Sequence, residues 1–408
     1  MILAIWNAPF PDHSGFANRC RNVLEVLSNL DTVTVLCRAG ATQESDIYQT
    51  AAGPVQLKRF RVRLKALERT EAGSYRTIFY ELVRSIDLFC GFAVECFRLM
   101  RKHKGEPVRV YCVNAPLTIP LFVWLLTLVT GARRWVLEFH DLEPEMAMHM
   151  KRLTAGSLVL RVEYFLERFL VRRFEKIVVS APIQAERIAA RSGKKRTEIL
   201  VFPNTVFLPH PLPSRAAARR TLGIGKDEVV FVYAGNLTID YTITGLIDMI
   251  QQLPPLGATN KDIRVILAGD GDGLPIIRKA ITEARAGGIV RCLGRIPDVP
   301  RLLAAADVGI IPWDRNVLSE TILPTKLLEY LAAGLPVIVP DFGEFRAVVQ
   351  QGQNGMRYTA ANGLLAAMAT LAGDRALRHR LGTGARQTFE AQFDPAGHAR
   401  ALAQALAF

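Results

Sequence analysis

Glu320 to Pro340 reads ETILPTKLLEYLAAGLPVIVP. Pro-Thr-Lys opens a helical pattern, Ala-Ala-Gly closes it, and the apolar run LPVIV follows as a strand buried on both faces. Pro324 suits the first helical turn, where its missing N–H would be unpaired anyway. The same alternation extends back through DVGIIPW, a helix over 299–305, IVRCLGR, a helix over 274–286, IRVILAGDGDG, a helix over 244–252 and VVFVYAGN. Strand after helix after strand is the unit of a parallel α/β sheet.

A first half repeats the pattern. ILAIWN is a strand, PFPDHSGFANR a loop, and helix signals lead to TVTVLC. VRVYCVN, an apolar helix over 121–129, RWVLEFHD, a long helix over 159–174, KIVVSA and ILVFPN continue it. Between the halves, FLPHPLPSRAAARR holds three prolines and reads as a linker. The expected fold is α/β, two tandem doubly wound domains facing a cleft. Residues 1–205 form the first and 206–385 the second; 386–408 form a helix packing back on the first. Ligands of such sheets bind beyond the carboxyl ends of the strands.

That rule gives the quoted helix a chemistry. Its N-terminus presents free N–H groups and partial positive charge, which suit a phosphate. Thr325 adds a hydroxyl and Lys326 a full charge, while Glu329 follows on the same face, placed to accept from a ribose diol. An i,i+3 ion pair on a solvated helix end is the plainer reading of the same two residues. Three other turns stand at the ends of successive strands: AGN (234–236), AGDGDG (268–273) and LGR (293–295). AGDGDG is not a dinucleotide fingerprint, because Leu274 and Ile276 occupy the positions where glycine is required.

The whole chain carries 51 Lys and Arg against 38 Asp and Glu, a formal charge of +13. Residues 1–204 hold 30 against 20 of these, so the excess sits in the first half. KRFRVRLK (58–65) puts Arg59, Arg61, Arg63 and Lys65 on one face of a strand. Arg161, Arg168, Arg172, Arg173 and Lys176 form a second set on a helix. These predict docking on anionic lipid, against the alternative of solvated faces. No nucleic-acid motif or basic stretch studded with aromatics is present. The six cysteines lack a CxxC pair and read as reduced core residues. The start of the chain does not read as a signal peptide. Val110–Ala132, interrupted by Asn114, Pro116 and Pro120, reads as a strand, a turn and a buried helix rather than a membrane span. These features predict a cytoplasmic protein, peripheral on the membrane. His140, Asp141, Glu143, Glu145 and His149 lack a recognised metal-ligand spacing, so no metal is expected.

Residues 229–356 resemble the nucleotide-sugar-binding half of retaining glycosyltransferases of the glycosyltransferase-B fold, family 4. The matching segments are VYAGNL, VILAGDGDG, CLGRIPDVPRLLAAADVGIIPW, PTKLLEYLAAGLPVIVPDFGE and GQNGM. NAPFPDHSGFANR, EFHDL and VEYFLERFLVRRFEKIVVSA are similar to the first half of the family. The resemblance implies a metal-independent hexosyl transfer, with no cofactor, from a nucleotide diphosphate sugar to a glycan or lipid-linked hydroxyl. Such a reaction serves cell-surface polysaccharide or glycolipid synthesis. Lys326, with Pro324 and Thr325 at the helix start, would hold the phosphates, and Glu329 the ribose. Gly235, Asn236, Gly269, Asp270 and Gly271 would floor the donor pocket, and Arg295 and Ile296 would border the base. His140 and Gly15 would serve the reacting sugar, phosphate and acceptor. The chain departs from the family in three places. Thr321 stands where a glutamate near the donor sugar is expected, with Glu320 beside it; GNLTIDYT carries no base; and the first loop has one glycine. The alternative readings are a nucleotide-sugar epimerase or hydrolase, and a non-catalytic membrane-surface partner subunit with the same fold.

Overall fold

The computed structural model describes the chain apart from residues 12–14, 40–44, 61–89, 104, 106, 115–116, 150–155, 207, 210, 240–242, 260–261 and 408. It divides into two compact units: Met1–Pro203 with Ala396–Phe408, and Asn204–Pro395.

The first unit holds an eight-stranded sheet in the order β3-β4-β2-β1-β5-β6-β7-β8. The strands are β1 (Ile2–Pro9), β2 (Val33–Arg38), β3 (Ile47–Thr50), β4 (Gly53–Phe60), β5 (Arg109–Val113), β6 (Arg133–Phe139), β7 (Lys176–Val179) and β8 (Ile199–Val201). All pairs are parallel except the β3–β4 hairpin at the edge. Strand periodicity divides the core. Leu3 and Ile5 of β1 join one apolar cluster, while Ile2, Ala4 and Trp6 join the other, on the opposite face. The last helix, Pro395–Leu406, places Leu402 and Leu406 in the Trp6 cluster.

The second unit is a six-stranded parallel sheet in the order β11-β10-β9-β12-β13-β14. Its strands are β9 (Val229–Ala234), β10 (Ile263–Ala268), β11 (Val290–Gly294), β12 (Val308–Ile310), β13 (Val337–Pro340) and β14 (Gly355–Tyr358). Order reverses between β9 and β12, which marks the topological switch point.

Several expectations are corrected. The expected linker contains a helix, Arg215–Leu222. It forms because the buried Arg219 anchors it, donating to the Ala305 and Glu228 carbonyls and pairing with Asp307. The helix 159–174 is Leu158–Val171. The chain then turns at the buried Phe174, so Lys176 begins β7 and leaves the basic helix set. The helix expected to be buried, Thr118–Thr130, has one exposed face bearing Leu125, Leu128 and Val129. Of the basic strand, Arg59 pairs with Asp46, and residues 61–65 lie outside the described residues.

Candidate donor-binding site

Three glycine turns build the floor at the switch point of the second sheet. Gly235 follows β9, Gly269 and Gly271 follow β10, and Gly294 closes β11. Gly269 N–H donates to the Gly294 carbonyl, Gly235 N–H to that of Ala268, and Leu237 N–H to that of Asp270. Backbone lies directly on backbone: a Cβ on Gly269 would sit 1.8 Å from the Gly235 carbonyl oxygen. Its φ of +150° is also one that side chains rarely adopt. Asp270 Oδ1 accepts from the Gly271 N–H at 2.8 Å, tightening the turn. Asn236 is exposed on this floor.

The helix Thr325–Ala332 points its N-terminus at these turns. Pro324 is its capping residue rather than its first helical residue, with extended dihedrals and no side-chain cap. Lys326 therefore leaves the first turn directly over Gly235, where an added Cβ would meet its Cε at 2.6 Å. Its ammonium donates to Tyr233 Oη at 2.6 Å instead of closing an ion pair with Glu329. It also lies over two rings, 4.2 Å from the Tyr233 centroid and 4.9 Å from that of Trp313. Tyr233 Oη in turn donates to the Asn236 carbonyl. Burial presses the Lys326 pKa down to about 7, and Glu329 opposes that only in part. Burial likewise raises the Glu329 carboxyl, against the pull of Lys326.

Aromatic residues set this geometry, and sequence reading did not single them out. Tyr330 Oη accepts the Ala234 N–H at 2.8 Å, and its ring fills the space over Gly309 of β12. The helix is thus pinned to β9 and β12 together. Trp313 is held by an edge-to-face contact with Phe345. The adjacent Asp314 bonds Thr244 and the Gly245 amide at the start of the helix Ile243–Thr259. The available signal was an aromatic hydroxyl, Tyr233, next to the end of an otherwise wholly apolar strand.

The other predicted residues divide. Thr321 is fully buried and its hydroxyl donates to the Leu318 carbonyl, so it is a turn residue. Glu320 is partly exposed and pairs with Arg315 at 2.7 Å. That pairing commits Arg315 to Glu320. Arg295 is exposed and Ile296 partly so, directly after the β11 turn. Gly15 and His140 belong to the first unit, at the start of the helix Gly15–Ser28 and just after β6. The His140 carbonyl accepts from Ser180 Oγ and Gln184 Nε2, both at 3.1 Å. Two residues earlier, the buried Glu138 accepts from Arg19 Nε at 2.6 Å and from Tyr111 Oη. Glu145 is buried against Arg191 at 2.6 Å.

Comparison with known proteins identifies the family. Residues 228–374 match the family model described as "Glycosyl transferases group 1", and residues 14–205 that of "Glycosyl transferase 4-like domain". A D-inositol 3-phosphate glycosyltransferase of Geodermatophilus obscurus is 28% identical over 200 residues, 47% of this chain and 43% of that protein. A glycogen synthase of Mycobacterium tuberculosis is 26% identical over 254 residues, 61% of this chain and 58% of that protein. The chain thus spans about half the length of these curated relatives. Among solved structures, a sucrose-phosphate synthase from Thermosynechococcus elongatus superposes with a TM-score of 0.73 at 19% identity, covering 99% of this chain and 97% of that one. Anabaena HepE in complex with UDP gives 0.70 at 17%, covering 99% of both. The chain belongs to the group 1 glycosyltransferases and has their glycosyltransferase-B fold.

Proposed function

We propose that the protein is a metal-independent, retaining glycosyltransferase. It moves a sugar from a nucleotide diphosphate sugar to a hydroxyl of a glycan or lipid-linked acceptor, in cell-surface polysaccharide or glycolipid synthesis on the cytoplasmic side of a membrane. The observation that carries this is Lys326, held between Tyr233 and Trp313 over Gly235 beside an uncapped helix N-terminus. A cation kept partly desolvated, with helix amides next to it, is pre-organised for a diphosphate. The Anabaena HepE structures with UDP and UDP-glucose share this fold, which supports the donor class.

In this reading Lys326 and the helix amides stabilise the negative charge that grows on the leaving diphosphate. The anomeric carbon becomes oxocarbenium-like. The acceptor hydroxyl attacks from the leaving-group side and gives its proton to the departing phosphate, so configuration is kept. Glu329 accepts from the ribose hydroxyls. His140 and Gly15 serve the sugar and acceptor side, and Glu320 stands near the donor sugar.

The test is titration of UDP, GDP, ADP and CDP sugars into wild type, Lys326→Ala and Glu329→Ala. One donor should bind, and Lys326→Ala should weaken it at least about tenfold, the size of a lost charge-assisted bond. Glu329→Ala should weaken the nucleotide diphosphate sugar more than free pyrophosphate. Unchanged affinity in both variants sinks the assignment. Release of nucleotide that requires an acceptor and survives EDTA distinguishes transfer from hydrolysis and from a partner subunit.

A further inference from the structure

Two helices of the first unit, Thr118–Thr130 and Leu158–Val171, pack side by side, with Trp124 edge-to-face on Phe169 at 4.8 Å. Their inner faces bury Ile119 and Val123 on one, and Leu160 and Leu170 on the other. Their outer faces are apolar too. Leu125, Leu128 and Val129 are 46–70% exposed, and Leu158, Val159, Val162 and Phe165 are 47–75% exposed. Seven of the thirteen large hydrophobic residues exposed among the described residues thus lie on this one helix pair. The spacing 158, 162, 165 draws a stripe along the helix. Scattered apolar surface needs no explanation, but a concentration of this kind marks a contact face.

The charges sort by face. Thr118–Thr130 carries none. On Leu158–Val171 the carboxylates turn inward: Glu167 is buried against Arg191, and the half-buried Glu163 is raised by burial. Outward stand Arg161 and Arg168, and beyond the helix end Arg173, all exposed, while Arg172 donates to the Ser192 carbonyl at 2.7 Å. Arg173 covers the Phe169 ring at 4.6 Å. Arg133, nearby in sequence, is paired to Glu175 and is not counted. An apolar stripe bordered by cations with no exposed acid on these helices complements an anionic lipid surface better than a protein surface of mixed charge. No helix among the described residues is long and apolar enough to cross a membrane, so the helices fit lying in the interface.

We propose that the outer faces of these two helices dock on an anionic phospholipid leaflet. Leu158, Val162, Phe165, Leu128 and Val129 enter the acyl boundary, and Arg161 and Arg168 reach the phosphates. The inference extends the reading of a lipid-linked acceptor, and donor binding is measured apart from lipid so that either can fail alone.

The experiment is co-sedimentation of the full chain with vesicles of phosphatidylcholine, with and without phosphatidylglycerol. Wild type should sediment with the anionic vesicles and be released by salt. Phe165→Glu should reduce partition at least about tenfold, because a charge replaces an inserted ring. Arg161→Ala with Arg168→Ala should lose most of the preference for phosphatidylglycerol. Leu128→Glu, on the other helix, is the second variant if thermal melting shows Phe165→Glu to be poorly folded. UDP binding should be unchanged in all. Sedimentation indifferent to these substitutions, or to phosphatidylglycerol, overturns the proposal. So does concentration-dependent dimerisation abolished by Phe165→Glu without vesicle binding, which would make a second copy the occupant.

Discussion

At the residue scale, Lys326 is held at the edge of its charged range. Burial favours its neutral form, while the nearby Glu329 carboxylate favours the ammonium, which also sits on Tyr233 Oη and two rings. The sign of the pH dependence follows. With the free lysine titrating near 7, the site loses its cation as pH rises through that value. Diphosphate affinity should fall above about pH 7, by up to tenfold per pH unit while the lysine must take up a proton to bind. Lys326→Arg should hold its weaker affinity flat across the same range, since guanidinium stays charged. Calorimetric titration of the donor nucleotide between pH 6 and 9 measures both. An equal slope in wild type and Lys326→Arg would mean that another group titrates.

At the element scale, the floor depends on three turns sharing one backbone layer. Gly269→Ala would drive a methyl into the Gly235 carbonyl and impose a strained φ. It should cost about 1–3 kcal/mol and remove donor binding, with helix content kept by circular dichroism. Donor binding that survives would show the floor to be adaptable. What sequence could show here was local. The glycine turns, Lys326 and Glu329 each follow a strand or open a helix, and alternation alone put them at one sheet end. The aromatic frame was not legible, because its partners are remote: Tyr233 meets Lys326 across 93 positions, and Tyr330 meets Ala234 across 96. The second half of the expected linker departs from expectation for a similar reason. RAAARRTL is helical because Arg219 reaches Ala305 and Asp307, nearly ninety positions away. The exposed stripes on 118–130 and 158–171 escaped because apolar periodicity marks a face without saying what covers it.

At the scale of the whole molecule, a buried polar knot ties the first unit. Arg19, 2% exposed on the first helix, pairs with Glu138, 1% exposed on β6, and also donates to the carbonyls of Phe202 and Pro203 after β8. Tyr111 of β5 donates to the other oxygen of the same carboxylate. The knot joins four places in sequence around the strand end that carries His140. Arg19→Ala would leave Glu138 buried without its cation, a change that costs about 3–5 kcal/mol. Glu138→Gln should cost less, because the amide oxygen still accepts while the charge is gone. In the double variant the cost should fall well short of the sum, since the second change removes the stranded charge left by the first. Urea unfolding followed by tryptophan fluorescence measures this, because Trp6 and Trp135 are both buried in this unit. Donor nucleotide affinity, a property of the second unit in this reading, should stay at its wild-type value in all three variants. Additive losses would show that Arg19 and Glu138 act separately, and that the helix Gly15–Ser28 is held by its apolar face alone.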